Sequence, residues 1–243
     1  MLCFSLPVSS PSRTPIENMS PVPGQEKGIA ETFDDLAHDR CCKYKSNGLT
    51  ASSQILLDFL SRKGLLGKTI LEIGCGTGFF ALETLRSGAI SCVGIDLSSA
   101  AIHEANEFAK ESGLQDRARF EVANAAMTRQ PASDVVVMDK VLCCYPDADA
   151  LLKTAAESSR DLLGFVVPRD EGLMRPAMKI GTALINLVER LRKTGFRIYL
   201  HPLGSIDRLL SENGFQRADK ARSRFWLVFL YKKTGPYEPA GVD

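Results

Sequence analysis

The sequence has few of the residues that metal-binding or disulfide-bonded proteins use. It contains three histidines and seven cysteines, and no C-x-x-C or H-x-x-x-H spacing occurs. We therefore predict that the protein binds no metal. The cysteine count is odd and includes the adjacent pairs Cys41-Cys42 and Cys143-Cys144, whose members cannot easily bridge each other. A reducing compartment follows, and we expect a cytoplasmic location.

Long hydrophobic runs and an excess of one charge are also missing. No stretch approaches the roughly 20 apolar residues of a membrane span, so we predict none. The formal net charge is +1, whereas nucleic-acid-binding domains are usually markedly basic, so we expect no nucleic-acid partner. The charge is uneven, because residues 169–233 hold 14 Lys and Arg against 6 Asp and Glu. That basic segment is either a solvated surface or a site for an acidic substrate or partner.

The chain does have enough apolar material for one α/β core. It has 243 residues, 44% of them apolar, which favours one core with a small lid over two full domains. Its first residues are rich in Ser and Pro and lack the apolar centre of a secretory signal. We predict a disordered leader, with a start at Met19 or import into an organelle as alternatives. The predicted units are a leader (1–28), cap helices (29–66), a cofactor-binding core (67–168), a substrate lid (169–204), a final helix with two strands (205–233) and a tail (234–243).

Short apolar runs alternate with helical patterns along the chain. Helices are predicted over 50–63, 79–88, 99–112 and 206–213, and within the lid, where one apolar stripe consists of Ile180, Leu184, Leu187, Val188 and Leu191. Strands are predicted at 70–73, 91–96, 119–123, 134–139, 162–167, 215–220 and 225–231. This alternation predicts a doubly wound, mostly parallel, seven-stranded sheet. The first four strands of such a sheet end along one rim, where ligands bind.

The turn after the first strand is the most informative segment. Residues 70–78 read I-L-E-I-G-C-G-T-G, and Gly74, Gly76 and Gly78 remove the side chains that would keep a ligand away from the backbone. The following helix presents free N–H groups to that ligand. Asp96, at the end of the second strand, stands where a carboxylate accepts hydrogen bonds from the two hydroxyls of a ribose. We interpret these features as a nucleotide-like cofactor pocket.

The spacing of the glycines distinguishes between cofactors. A dinucleotide-binding turn, G-x-G-x-x-G, would need glycine where the chain has Phe79. Glu72 on the strand is badly placed beside a pyrophosphate but well placed for the ammonium of an amino-acid ligand. With this E-x-G-x-G-x-G pattern the sequence resembles motif I of the class I S-adenosylmethionine-dependent methyltransferases. The resemblance implies a Rossmann-like methyltransferase fold with S-adenosylmethionine as the cofactor.

The resemblance extends from about residue 33 to residue 232. Residues 139–147, D-K-V-L-C-C-Y-P-D, are similar to a subgroup with D-[RK]-V-x-C-C-Y-P-D and, more loosely, to the Cys-Tyr-Pro segment of magnesium-protoporphyrin methyltransferases. The resemblance implies that the segment around Tyr145 separates the methyl donor from the acceptor, and that Tyr44 of the cap contacts the acceptor. The implied cofactor-binding residues are Glu72, Gly74, Cys75, Gly76, Gly78, Asp96, Leu97, Asn124 and Ala125 (both at the adenine), Lys140, and Arg40 (at the cofactor carboxylate).

Residue chemistry suggests candidates for the acceptor side. His201 is either a general base, because histidine titrates near neutrality, or a structural residue bonded to a carbonyl. Tyr145 and Tyr199 either orient the acceptor or pack. Candidates for a bidentate carboxylate clamp, each alternatively a surface residue, are Arg169, Arg190 and Arg197.

We expect transfer of a methyl group to a small-molecule acceptor by in-line displacement, and the basic lid favours an acidic acceptor. Three alternatives stay open. A carboxyl O-methyltransferase of the magnesium-protoporphyrin type suits the basic lid. A non-catalytic scaffold could bind the cofactor without transfer, and a nicotinamide oxidoreductase is disfavoured by Phe79. No oligomeric state is predicted.

Overall fold

The computed structural model describes residues 25–235. Residues 1–24 and 236–243 lie outside the described residues, and so do most of the predicted leader, the alternative start at Met19 and most of the predicted tail. The first helix begins at Gln25, so residues 25–28, which we assigned to the leader, are helical. Gly28 is buried, because the backbone at Thr194 and Gly195 packs directly against it.

Seven helices and seven strands make up the described part of the chain. The helices are α1 (Gln25–Asn47), α2 (Ala51–Lys63), α3 (Phe79–Arg86), α4 (Ser99–Glu111), α5 (Ala148–Ser158), α6 (Met174–Arg192) and α7 (Leu203–Glu212), with a 3₁₀ turn at Leu142–Cys144. The strands are β1 (Thr69–Ile73), β2 (Ser91–Asp96), β3 (Ala118–Val122), β4 (Ser133–Asp139), β5 (Ser159–Pro168), β6 (Phe215–Ser223) and β7 (Trp226–Lys233).

The strands form one seven-stranded sheet in the order β3-β2-β1-β4-β5-β7-β6. β7 pairs antiparallel with β5 and β6, whereas the other pairs are parallel. The chain winds outward from β1 to β3 and then returns to place β4 on the other side of β1. This reversal opens a crevice at the carboxyl ends of β1 and β4. The predicted doubly wound, mostly parallel sheet is confirmed.

Helices cover both faces of the sheet, and β4 shows why. Its apolar run is fully buried, because successive side chains of a strand point to opposite faces. Val136 and Met138 pack in a core with side chains from α5 and α7. Val135 and Val137 pack in a second core with side chains from α2, α3 and α4.

Helix α5 is an element that we did not predict from the sequence. Asp147 caps it, because its Oδ1 accepts a hydrogen bond from the Ala150 N–H at 2.9 Å. Its buried residues Ala148, Leu151, Leu152, Ala155 and Ala156 follow the three- and four-residue spacing of an amphipathic helix. This spacing and the capping aspartate are the sequence signals that could have located the helix.

The predicted lid contains helix α6 and no strand among residues 169–204. No residue of α6 is buried. The predicted apolar stripe therefore points outward instead of into a core, and Ile180, Leu184 and Leu191 are all exposed. Within residues 25–235, no helix has both the length and the hydropathy needed to cross a membrane.

Candidate cofactor and acceptor site

A cavity of about 600 Å³ opens at the crevice between β1 and β4. Four strands supply its floor, through Gly74 after β1, Asp96 at the end of β2, Asn124 after β3 and Asp139 at the end of β4. These residues are far apart in the sequence, but the carboxyl ends of parallel strands lie along one edge of a sheet. Side chains from α1 and α6 cover the cavity.

The glycine turn leaves bare backbone at the cavity wall. Gly74 and Gly76 adopt φ values of 67° and 51°, a region that side chains disfavour. A Cβ atom on Gly74 would lie 2.4 Å from a methyl carbon of Val141, so only glycine lets the ends of β1 and β4 approach this closely. At Gly76 nothing lies within 4 Å of the Cβ position, and the residue lines the cavity. A ligand can therefore contact the backbone there.

Gly78 and Cys75 were predicted to contact the cofactor, but neither residue lines the cavity, because the Cβ direction of each points into the core. Gly78 does not line the cavity; a Cβ atom there would lie 2.7 Å from a ring carbon of Phe120. Its glycine is needed for helix packing. The side chain of Cys75 is buried among the apolar residues of the second core, where burial raises the pKa of its thiol well above the ordinary range. Neither residue offers a side-chain position to a ligand.

Asp96 is held rigidly by the backbone. Its Oδ2 accepts a hydrogen bond from the Gly76 N–H at 2.8 Å, and its Oδ1 accepts one from the Ser98 N–H at 2.9 Å. Burial raises the pKa of Asp96, while these backbone hydrogen bonds oppose the shift. An ionised carboxylate has about four lone-pair sites, so both oxygens keep capacity for further donors. Asp96 and Leu97 both line the cavity.

Glu72 lies beneath the turn and is 2% exposed. Its Oε2 has no hydrogen-bond partner among the described residues. Burial, followed by the charge of Asp139, raises the pKa of Glu72 well above its ordinary value. Glu72 is not part of the cavity wall. A buried carboxyl oxygen without a donor is costly, which makes it a candidate partner for a cationic ligand group.

A polar network fastens the end of β4 to the N-terminus of α2. The Lys140 Nζ lies 2.9 Å from Asp139 Oδ1 and donates to the hydroxyls of Ser53 and Thr50 at 2.8 and 3.0 Å. The Ser53 hydroxyl donates to Asp139 Oδ2 at 2.5 Å. Lys140 has a φ of 63°, a left-handed conformation that costs a side-chain-bearing residue about 1–3 kcal/mol. Lys140 lines the cavity, but its ammonium group is occupied by this network.

Asn124 and Tyr145 join three elements at the β3 end of the cavity. Asn124 Oδ1 accepts from the Ala126 N–H at 3.0 Å, and its Nδ2 donates to the Tyr145 hydroxyl at 3.1 Å. That hydroxyl donates to Glu26 of α1 at 3.4 Å. Burial raises the pKa of Tyr145, so its phenol stays protonated. Asn124, Ala125 and Tyr145 all line the cavity.

Helix α1 brings Arg40 and Tyr44 to the cavity wall. The Arg40 guanidinium lies 4.8 Å from the centre of the Phe33 ring. Tyr44 stacks on Phe79 at 4.9 Å, and burial raises its pKa to about 12. Asp34 fastens α1 to the core, because its Oδ1 accepts two hydrogen bonds from the N-terminus of α4 at 2.6 and 2.9 Å.

The geometry around His201 matches its structural alternative, and its role as a base stays a prediction. His201 Nε2 lies 3.1 Å from the carbonyl oxygen of Tyr145. The Tyr199 N–H donates to the carbonyl of Cys143 at 2.8 Å, and the Tyr199 ring stacks on His201. Neither His201 nor Tyr199 lines the cavity, because their segment runs behind the residues that follow β4.

None of the three arginines predicted for a carboxylate clamp lines the cavity, so the structure gives the clamp no geometric support. Arg190 is exposed on α6. Arg197 donates to the carbonyl oxygen of Phe196 at 2.5 Å. The backbone N–H of Arg169 donates to the carbonyl oxygen of Phe225 at 2.8 Å. The sequence placed all three in or beside the lid but could not indicate their direction.

Several apolar wall residues were missed. Met174, Met178 and Ile185 face the cavity from the inner side of α6, and their helical spacing could have revealed this second face. Trp226 reaches the rim because it pairs with Pro168 where β7 runs antiparallel to β5. No local signal predicts that pairing.

Comparison with known proteins agrees with this geometry. Residues 70–161 match the family model described as a methyltransferase domain. The fold is the Rossmann-like fold of the class I methyltransferases. The matched segment begins in β1, with the glycine turn, and continues through the start of β5. It therefore contains all four strand ends that form the cavity floor.

One relative and two solved structures illustrate the range of similar proteins. The ubiquinone biosynthesis O-methyltransferase of Hahella chejuensis (strain KCTC 2396) is 30% identical over 147 residues, which are 58% of this chain and 60% of that protein. The chain spans less than two thirds of the length of the relatives it matches.

Magnesium protoporphyrin IX methyltransferase from Synechocystis PCC 6803, solved with bound SAH, superposes with a TM-score of 0.68 at 20% identity over 86% of this chain and 100% of that one. The [4+2]-cyclase SpnF superposes with a TM-score of 0.64 at 18% identity over 90% of this chain and 99% of that one. These likenesses describe the fold. The cyclase shows that the same fold also occurs in a protein named for other chemistry.

Proposed function

We propose that the protein binds S-adenosylmethionine in this cavity and transfers the methyl group to a small, largely apolar acceptor. The observation that carries the proposal is the position of Asp96 beside the bare backbone of Gly76, on the wall of a cavity of about 600 Å³. The matched methyltransferase domain and the similar fold support the assignment.

The residues present fit this cofactor. The lone pairs that Asp96 retains suit the two hydroxyls of a ribose. The unpartnered Oε2 of Glu72, close to the glycine turn, suits the ammonium of a methionine moiety. Asn124 and Ala125 line the β3 end of the cavity and would offer an amide side chain and a backbone N–H to an adenine ring.

Bound S-adenosylmethionine would supply a methyl group on a positively charged sulfur. The task of the protein is then to align the acceptor atom about 3 Å from that carbon and to exclude water. Helices α1 and α6 cover the cavity and provide this exclusion. The phenols of Tyr44 and Tyr145 stay protonated because burial raises the pKa of each. They therefore act as hydrogen-bonding groups.

The lid side of the cavity suits an apolar acceptor. Its wall includes Met174, Met178, Ile185 and Trp226. The three clamp arginines lie outside the cavity wall, and Arg40 on the wall is assigned to the cofactor carboxylate. The ammonium of Lys140 is bound by Asp139 and two hydroxyls. An acidic acceptor of the magnesium-protoporphyrin type would thus find no arginine clamp. Apolar contacts orient the acceptor body instead.

The first test is calorimetric titration with S-adenosylhomocysteine, with NADH as the control ligand. We expect the wild-type protein to bind the first and not the second. Gly76→Arg should abolish binding, because its side chain enters the cavity. Gly113→Arg is a matched control, because Gly113 also has a positive φ, 66°, and also has nothing within 4 Å of its Cβ position, yet it lies in the turn after α4. Equal affinity of the two variants would refute the proposed site.

A second test separates transfer from binding alone. Methyl transfer from labelled S-adenosylmethionine is measured with a panel of apolar phenols and a matched panel of carboxylates. Turnover confined to the phenols supports the proposal. Turnover confined to the carboxylates refutes the apolar acceptor. Binding of S-adenosylhomocysteine without turnover of any acceptor would favour the scaffold alternative.

A further inference from the structure

The outer face of α6 is apolar and open to solvent. We define this face by Leu173, Ile180, Leu184, Leu187 and Leu191, which are 100%, 63%, 58%, 52% and 75% exposed. Single exposed leucines are ordinary on protein surfaces. These five share one side of the helix, because residues three, four and seven apart lie on the same side at about 100° per residue. A continuous exposed apolar stripe indicates an interaction surface.

The opposite side of α6 is already in use. Met174, Met178 and Ile185 line the cavity, and by helical geometry they point about 130° away from the centre of the outer face. Helix α6 therefore cannot rotate to bury its outer face without removing these three side chains from the cavity wall. The described residues offer it no cover, since no residue of α6 is buried. Its partner must come from outside residues 25–235.

Basic side chains border the outer face. Between residues 173 and 193 the chain carries five basic residues and one acidic residue. Lys179 and Arg190 lie along one flank of the outer face, about 110° and 90° from its centre. The acidic residue, Glu189, accepts a hydrogen bond from the Thr194 hydroxyl at 2.8 Å and lies 3.8 Å from Arg192. An apolar stripe flanked by basic residues is the arrangement of a helix that lies in the interface of an anionic bilayer.

We propose that the outer face of α6 docks on a membrane surface containing anionic lipids. The leucines enter the boundary between headgroups and acyl chains, and Lys179 and Arg190 extend towards the phosphates. A second copy of the chain is a poorer occupant, because two such faces in contact would bring ten basic groups together against two acidic ones. Docking would also place the cavity, which lies on the inner side of α6, next to the bilayer. The docking itself does not depend on methyl transfer.

The test is flotation of the full-length protein with vesicles of phosphatidylcholine alone or mixed with phosphatidylglycerol. We expect binding to the mixed vesicles that weakens as salt is added. The triple variant Leu184→Gln, Leu187→Gln, Leu191→Gln should lower the partition coefficient by roughly a hundredfold. Leu66→Gln with Ile90→Gln is the matched control, because these residues are 86% and 57% exposed but precede β1 and β2, at the opposite edge of the sheet.

Other outcomes overturn the proposal. Absence of binding to the mixed vesicles, equal binding of the triple variant, or equal binding to neutral vesicles would each do so. Sedimentation without lipid tests the second copy directly: a dimer that the triple variant dissociates would assign the outer face to self-association. Unchanged binding of S-adenosylhomocysteine by the triple variant shows that its fold is intact. Loss of vesicle binding with retained ligand binding separates this inference from the proposed function.

Discussion

Replacing Asp96 with alanine is the most direct perturbation of the proposed cofactor site. The carboxylate accepts backbone hydrogen bonds from Gly76 and Ser98 at 2.8 and 2.9 Å and keeps lone pairs directed to the cavity. Two hydroxyl donors on a charged acceptor contribute about 2–4 kcal/mol of binding free energy after exchange with water. Asp96→Ala should therefore raise the Kd for S-adenosylhomocysteine by about 30- to 1,000-fold.

The loss must be separated from damage to the fold, because Asp96 also stabilises the glycine turn. Asp134→Ala is the matched control. Asp134 Oδ2 accepts hydrogen bonds from the N–H and hydroxyl of Thr69 at 2.8 and 2.9 Å, at the opposite edge of the same sheet. Each substitution removes two hydrogen bonds that a carboxylate accepts, so each should lower the free energy of unfolding in urea. Only Asp96→Ala should weaken the ligand.

Isothermal titration calorimetry measures the affinity, and urea unfolding measures the stability. Asp96→Asn keeps the shape of the side chain but turns one acceptor into a donor, so its affinity should fall between those of the wild type and the alanine variant. A folded Asp96→Ala protein with wild-type affinity would refute the ribose assignment. So would equal weakening in both alanine variants, because it would trace the effect to general stability.

Two further predictions concern Glu72 and the helix glycines. The folded-state pKa of Glu72 lies well above its ordinary value of 4.5, so its contribution to stability is present below pH 4.5 and is lost as the pH rises through the folded pKa. Glu72→Gln stays neutral, so without ligand its unfolding free energy relative to that of the wild type should increase as the pH rises above 4.5; a pH-independent difference would contradict this. Alanine for glycine in a helix usually stabilises by about 1 kcal/mol, and Gly181→Ala should do so because nothing lies within 4 Å of its Cβ position. Gly28→Ala should instead destabilise by about 1–3 kcal/mol, because its Cβ atom would lie 2.6 Å from a backbone carbonyl oxygen. If urea unfolding shows that both variants change the unfolding free energy in the same direction, the backbone beside Gly28 moves aside without cost and the prediction fails.

Local patterns predicted the parts of the site that belong to single strand ends. The glycine turn and Asp96 follow apolar strands directly, and the parallel sheet brings them together without further information. Asn124 and Lys140 also line the cavity at the ends of their strands. The sequence did not reveal that the Lys140 ammonium is already bound by Asp139.

Direction is what local patterns could not predict. The lid was identified as a helix with an apolar stripe, but the stripe points to solvent and Met178 on another side lines the cavity. For His201 the sequence left two roles open, and only the tertiary structure shows its contact with the carbonyl of Tyr145, which favours the structural role. Trp226 reached the wall through an antiparallel pairing that follows from sheet order.

The sequence by itself determined the strand-helix alternation, the doubly wound sheet and the turn that makes a cofactor pocket. These features depend on periodicity and on backbone conformations that only particular residues adopt, and both are local properties. The tertiary structure alone decided which side chains face the cavity, which are bound by neighbours and which apolar face has no cover. Those properties depend on contacts between residues far apart in the chain, such as Gly28 against Gly195 or Ser53 against Asp139.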